Sequence, residues 1–138
     1  MSMSDNNLLS YAYRNVRSAA ILTNSYVAGT VVGAEDAGGD YPHNGNQLIV
    51  YVDFTIGSLT SLQIKVEFSH EGTTYYQEAF SSISSTTDTV SLGEHSFAAT
   101  GKYRLAIPIK DKYIKISAKG TGTVTSSSCT INAAYGRA

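Results

Sequence analysis

Residues 47–56, QLIVYVDFTI, alternate with a period of two. Leu48, Val50, Val52, Phe54 and Ile56 fall on one face, and Ile49, Tyr51, Asp53 and Thr55 on the other. A helix would scatter the first set around its circumference, whereas a strand lays all of it against one core. The second face is half apolar, so partial cover is expected there too. Residues 62–69 repeat the pattern, with Leu62, Ile64, Val66 and Phe68 inward and Gln63, Lys65, Glu67 and Ser69 outward. Between them, Gly57-Ser58-Leu59-Thr60-Ser61 reads as a turn.

The same alternation runs on toward the C-terminus. Gly72 offers the positive φ that a tight reversal over 69–74 demands. Residues 75–80 return as a strand. Adjacent residues face opposite ways, so one of Tyr75 and Tyr76 is expected to point inward. The segment 81–88, SSISSTTD, has Ile83 as its one apolar residue and reads as an exposed loop or edge. Short strands are expected at 89–92 and 95–98 around Gly93-Glu94, with a turn at Ala99-Thr100-Gly101. Tyr103, Leu105, Ile107 and Ile109 form the next inward set. Pro108 alternates out of it, which suits an edge strand, because proline donates no ladder hydrogen bond. After a turn at Asp111-Lys112, residues 113–119 place Ile114, Ile116 and Ala118 inward. Gly120-Thr121-Gly122 turns the chain into a final strand region at 124–135, where a bulge fits.

Strands thus recur at roughly 8–14-residue spacing with turn chemistry between them, the pattern of a sandwich or barrel. The connections are too short for helical crossovers, so the pairing is expected to be antiparallel. The fold expected is all-β, an antiparallel β-sandwich of jelly-roll-like type with an irregular N-terminal arm. Residues 1–14 are read as an extended arm and 15–138 as a single β-sandwich domain, a length that buries a core without a disulfide or a metal. Within the less regular first part, 15–23 and 26–32 are strand candidates. AEDAGGDYPHNGN at 34–46 reads as a long loop, an element that often binds.

Composition narrows function by exclusion. Charged residues make up 15% and the net charge is −1. Readers of nucleic acid carry clustered Lys and Arg. The nearest approach here, Lys110, Lys112, Lys115 and Lys119, reads as solvated outward positions on strands, so no nucleic-acid partner is expected. No apolar run is long enough for a membrane span. Met1 to Asn7 is polar and lacks the pattern of a secretory signal, so folding in a cytoplasm is expected. The single cysteine, Cys129, lies in a strand-like run and reads as a small buried hydrophobe.

No catalytic, metal-binding or cofactor-binding constellation is visible. The three histidines, His43, His70 and His95, belong to no metal-ligand motif and read as exposed polar residues. Glu35, Asp36 and Asp40 resemble a loose calcium loop without EF-hand order, and acidic glycine-rich loops are usually turns. No nucleophile elbow, phosphate-cradling loop or zinc-protease helix occurs, so an enzyme is not expected. Tyrosine is the enriched type, ten of them with no tryptophan. It offers a broad flat contact with a polar tip, which suits interfaces. The candidate interface residues are Tyr11 and Tyr13 on the arm, Tyr41 and His43 in the long loop, and Tyr75 and Tyr76.

Two resemblances carry expectations further. LQIKVEFSHEGTTYYQE at 62–78, with KYIKIS at 112–117, resembles the discoidin-type jelly roll, which implies a module binding glycans or a host surface. It departs from that family in lacking tryptophan, paired cysteines and a ligand-loop signature. The stretch 45–138, through QLIVYVDFTIGSLTSLQIKVEFSHEGTTYYQE and GKYRLAIPIKDKYIKISAKGTGTVTSSS, is similar to small structural proteins of tailed bacteriophages. That likeness implies a virion protein made in the host cytoplasm, most simply a capsid decoration (cement) protein acting as a homo-oligomer. Its partners would be the major capsid protein or other virion proteins. A tail or head–tail connector component is the neighbouring alternative.

Overall fold

The fold is seen in a computed structural model, which describes residues 13–33 and 47–136. Eleven strands run through the described residues: β1 (Tyr13–Ala20), β2 (Val27–Ala28), β3 (Gln47–Thr55), β4 (Leu59–Ser69), β5 (Tyr76–Gln77), β6 (Ala79–Ser84), β7 (Thr87–Leu92), β8 (Glu94–Phe97), β9 (Gly101–Pro108), β10 (Tyr113–Gly122) and β11 (Ser128–Gly136). One sheet has the order β1-β11-β3-β9. The other has the order β2-β10-β4-β5, with β8 pairing β4 alongside β5. All of these pairings are antiparallel. The two sheets stack as a β-sandwich around one core.

The core is the alternation made solid. Leu48, Val50, Val52 and Phe54 from β3 meet Leu62, Ile64, Val66 and Phe68 from β4. Ile114, Ile116 and Ala118 from β10 join them, with Cys129, Ile131, Ala133 and Tyr135 from β11. Each buried aliphatic or aromatic side chain contributes about 1.5–3 kcal/mol relative to exposure. Ile49 lies on the opposite face of β3 and is 5% exposed, which is the partial cover that its half-apolar second face implied. Pro108 ends β9, the edge strand of its sheet, where its missing donor costs no ladder bond.

Several boundaries differ from expectation. β1 already includes Tyr13 and Arg14, and its pairing with β11 is irregular after Asn15 and again after Arg17. Arg17 bridges that irregularity: Nε donates to the Cys129 carbonyl at 3.2 Å, and Nη2 to the carbonyls of Ala20 and Ile21 at 3.2 and 3.1 Å. The strand expected at 26–32 shrinks to two residues plus a lone bridge from Val32 to Ile114. Residues 81–88, expected as an exposed loop or edge, are exposed but paired as strands. They form most of the β6–β7 hairpin, with six cross-strand pairs from Ala79–Leu92 to Ser84–Thr87. Serine and threonine runs carry no core face of their own, so periodicity could not reveal that pairing. The loop read at 34–46 lies outside the described residues, as does the arm up to residue 12.

Candidate interaction surface

The β6–β7 hairpin stands off the sandwich, and every residue of both its strands is exposed. Its reversal runs through Ser85, which adopts φ 60°, in the left-handed region that costs a non-glycine residue about 1 kcal/mol. The register sorts the side chains onto two faces. One carries Ala79, Ser81 and Ile83 opposite Leu92, Val90 and Asp88. The other carries Phe80, Ser82 and Ser84 opposite Ser91, Thr89 and Thr87. Ile83, Val90 and Leu92 on the first face are 73, 61 and 59% exposed, and Phe80 on the second is 55% exposed. These are four of the large apolar side chains that the fold leaves in water, gathered on fourteen residues between Ala79 and Leu92.

The base of the hairpin is firmly tied. Gly93 N donates to the Glu78 carbonyl at 3.0 Å, and Gln77 Nε2 donates to the Gly93 carbonyl at 2.8 Å. Lys110 Nζ pairs with Glu78 at 3.0 Å. The Phe80 ring lies so near Gly93 that a Cβ there would sit 2.7 Å from it. Beside this base, at the β9 side of the sandwich, opens a cleft of about 270 Å³. Val66, Phe68, Phe80, Ala106, Ile107 and Pro108 supply its apolar wall, and Glu78, Glu94, His95 and Lys110 its polar rim. The hairpin thus sets exposed apolar surface next to a walled cleft.

The two outer sheet faces differ from the hairpin. On the β3 sheet, Tyr51, Asp53, Lys102, Arg104, Thr130 and Asn132 line a shallow depression of about 310 Å³. Lys102 and Asp53 pair across it at 2.7 Å with both side chains exposed, a contact worth little in water. On the β4 sheet, tyrosine rings cover lysines. Lys65 and Lys119 lie 4.6 and 4.8 Å from the Tyr26 ring centre, and Lys115 lies 4.1 Å from that of Tyr75. The Tyr26 hydroxyl donates to Glu94 at 2.7 Å. Burial, then the Glu94 hydrogen bond and charge, push the Tyr26 phenol well above its ordinary value.

This arrangement corrects two expectations. Lys115 and Lys119 point outward but are half-covered by aromatic rings, and Lys110 is paired with Glu78. Neither member of the Tyr75–Tyr76 pair enters the core: Tyr75 rests on Lys115, and Tyr76 is 69% exposed. β5 is only two residues long and lies at the sheet edge. Of the other candidate residues, Tyr13 starts β1, while Tyr11, Tyr41 and His43 lie outside the described residues, as do Glu35, Asp36 and Asp40. The candidates are thus not gathered into one patch among the described residues. The hairpin residues Ile83, Val90 and Leu92 were missed as a site, and Tyr26 was missed as an organiser of an outer face. The signal for the first was faint, because its apolar face is assembled from two strands, Ile83 on one and Val90 and Leu92 on the other.

No three His, Cys, Asp or Glu residues among those described are placed to hold a metal ion. Burial pushes the Cys129 thiol up to about 11, so it stays protonated at neutral pH. Among the described residues no helix is long and apolar enough to cross a membrane. Compared with known proteins, the chain matches no family model and no curated sequence.

Proposed function

We propose that this chain is a bacteriophage virion structural protein, a capsid decoration (cement) protein that binds the assembled head and stabilises it through protein–protein contacts. The observation that carries the reading is the projecting β6–β7 hairpin, with Ile83, Val90 and Leu92 held in water on one face. A solvated loop would not concentrate such side chains, and a packing partner removes their cost. The likeness of residues 45–138 to small phage structural proteins supplies the kind of partner, the major capsid protein or another virion protein. A low charge and a surface of Ser, Thr and Tyr suit a protein packed among neighbours. On this reading the chain is no enzyme, works without a cofactor, and resides in the virion.

The fold supports the jelly-roll part of the reading. Strands β1 to β4 step alternately between the two sheets, as do β9 to β11, and the last strand lies beside the first. The test is to mix purified protein with undecorated capsids. Binding and a rise in capsid melting temperature are expected, and both should weaken in the I83S/V90S/L92S variant. Wild-type protein that neither binds nor stabilises capsids overturns the reading. Closed rings in solution, seen by mass measurement, would move the assignment to a tail or head–tail connector.

A second reading, a glycan- or host-surface-binding module, draws on the depression around Tyr51. An exposed ring flanked by Asp53, Arg104, Thr130 and Asn132 offers a sugar both stacking and hydrogen bonds. A glycan array without hits removes it.

A further inference from the structure

We infer that the outer face of the β3 sheet binds a saccharide containing hexuronic acid, with Tyr51 taking a sugar ring and Arg104 taking its carboxylate. This rests on the glycan-binding reading above and names the sugar class for that site. The site shares no residue with the β6–β7 hairpin, so one chain can carry both contacts.

Cross-strand register builds the site. It brings Asn15, Asn132, Tyr51 and Arg104 into one row across four strands, and Thr130, Asp53 and Lys102 into the next. On the central strands these residues look away from the core, since Val50, Val52, Ile131 and Ala133, their neighbours in sequence, are buried in it. The Tyr51 ring is 37% exposed. The depression over these residues measures about 310 Å³, at the lower end of the roughly 300–1,000 Å³ of small-molecule sites, so it suits a short saccharide segment.

Charge selects the sugar. Asp53 and Lys102 neutralise each other at 2.7 Å. Arg104, exposed on the edge strand β9, has no ion pair, hydrogen bond or ring contact among the described residues. The depression is left with one uncompensated positive charge, a planar fork that matches a carboxylate. Asn132 adds a donor: its Oδ1 accepts from Asn15 Nδ2 at 3.0 Å, which leaves its own Nδ2 for a sugar hydroxyl. Asn15 in turn donates to the Arg17 carbonyl at 3.3 Å and accepts from the Ser18 hydroxyl at 3.0 Å, so the row is fixed before a ligand arrives. In a hexuronic acid such as galacturonic acid, the carboxylate leaves C5 close to the mean plane of the ring, and C–H groups make a ring face apolar. Such a ring can lie on Tyr51 and send its carboxylate sideways to Arg104, its cross-strand partner, about 5 Å away between Cβ atoms. Glycosidically linked sialic acid holds its carboxylate axial, across the ring plane, and does not meet both residues at once.

The experiment is amide-correlation NMR of the full chain titrated with trigalacturonic acid. The Tyr51, Arg104 and Asn132 signals should shift, with a dissociation constant on the order of 1 mM for so shallow a site. Arg104→Gln should weaken binding about tenfold or more, and so should methyl-esterified trigalacturonate, which keeps the rings and loses the charge. The variant's circular dichroism should match that of wild type, because Arg104 lies in water. No shift at these residues with about 20 mM trigalacturonate overturns the inference, as does binding indifferent to Arg104→Gln or to esterification. Galactotriose and 3′-sialyllactose then separate the two levels. If either moves the same amides, the glycan reading survives without the uronate; if neither does, both fall. Capsid binding by Arg104→Gln should equal that of wild type, and its loss would assign this face to the capsid and overturn the inference.

Discussion

Ser58 and Ser126 clasp each other: the Ser58 amide donates to the Ser126 carbonyl at 2.9 Å, and the Ser126 amide donates to Ser58 Oγ at 3.0 Å. The same hydroxyl donates to the Thr123 carbonyl at 2.8 Å and accepts from the Thr125 amide at 3.2 Å. It thereby locks the β3–β4 turn to the β10–β11 connection, one from each end of the sandwich order. Ser58→Ala should cost about 1–2 kcal/mol, because two amides lose their acceptor. Gly57→Ala should cost more, about 2 kcal/mol or above, since φ is +55° and a Cβ would stand 2.1 Å from the Ser126 carbonyl oxygen. Urea denaturation of both variants checks the order.

Glu71 should give the domain an acid-sensitive turn. The Thr74 amide, the Ser69 hydroxyl and the Thr73 hydroxyl all donate to its carboxylate, at 3.0, 2.8 and 2.8 Å. These bonds, the Thr74 amide first, lower its pKa from 4.5 to about 2. A depressed folded value means that the turn's contribution is present above pH 4.5 and fades as pH falls toward 2. Carboxylate titration by NMR should place Glu71 near 2, and Glu71→Gln should remove that step.

Tyr26 should act in the opposite direction. Its folded pKa lies above the ordinary 10.0, so its contribution is whole below pH 10 and is lost as pH rises beyond it. Tyr26→Phe keeps the ring over Lys65 and Lys119 but deletes the bond to Glu94, and should blunt that alkaline loss. Denaturation midpoints at neutral and alkaline pH, wild type against variant, measure it.

Cys129 should be silent in the native protein. It is wholly buried, and burial holds its thiol at about 11. An aromatic disulfide reagent should leave it unmodified under native conditions and label it at once in denaturant. Rapid native labelling would mean that β11 opens far more readily than its place between β1 and β3 allows.

The core and the hairpin should respond to mutation in opposite ways. Phe54→Ala, at a position with no exposure, should cost about 3–5 kcal/mol. Ile83→Ser should change stability by no more than about 0.5 kcal/mol, because the side chain is already in water. Its effect should fall on association instead. Thermal melts of the two variants at low concentration separate these cases.

Much of the fold was legible because burial on one side of a strand writes itself into every second residue. The inward sets of β3, β4, β9 and β10 could be named from alternation alone, and Gly72, with φ +90°, marks its turn as composition suggested. Reading failed where no core face exists to impose a period. The β6–β7 hairpin presents serine and threonine on most positions, and its apolar residues sit on different strands. The Tyr75–Tyr76 pair misled for a related reason, since the inward rule assumes a continuous core-facing strand, whereas Tyr75 precedes the two-residue edge strand β5 and Tyr76 is exposed.

What the chain's order of residues determined is therefore the all-β class, the antiparallel pairing and the lining of the core, because those follow from local periodicity and short connections. Tertiary structure alone decided which strands became neighbours, that Tyr26 spans two lysines to reach Glu94, and that Ile83, Val90 and Leu92 share one uncovered face. Such relationships join residues far apart along the chain or on separate strands, and cross-strand register, which no single segment encodes, brings them together.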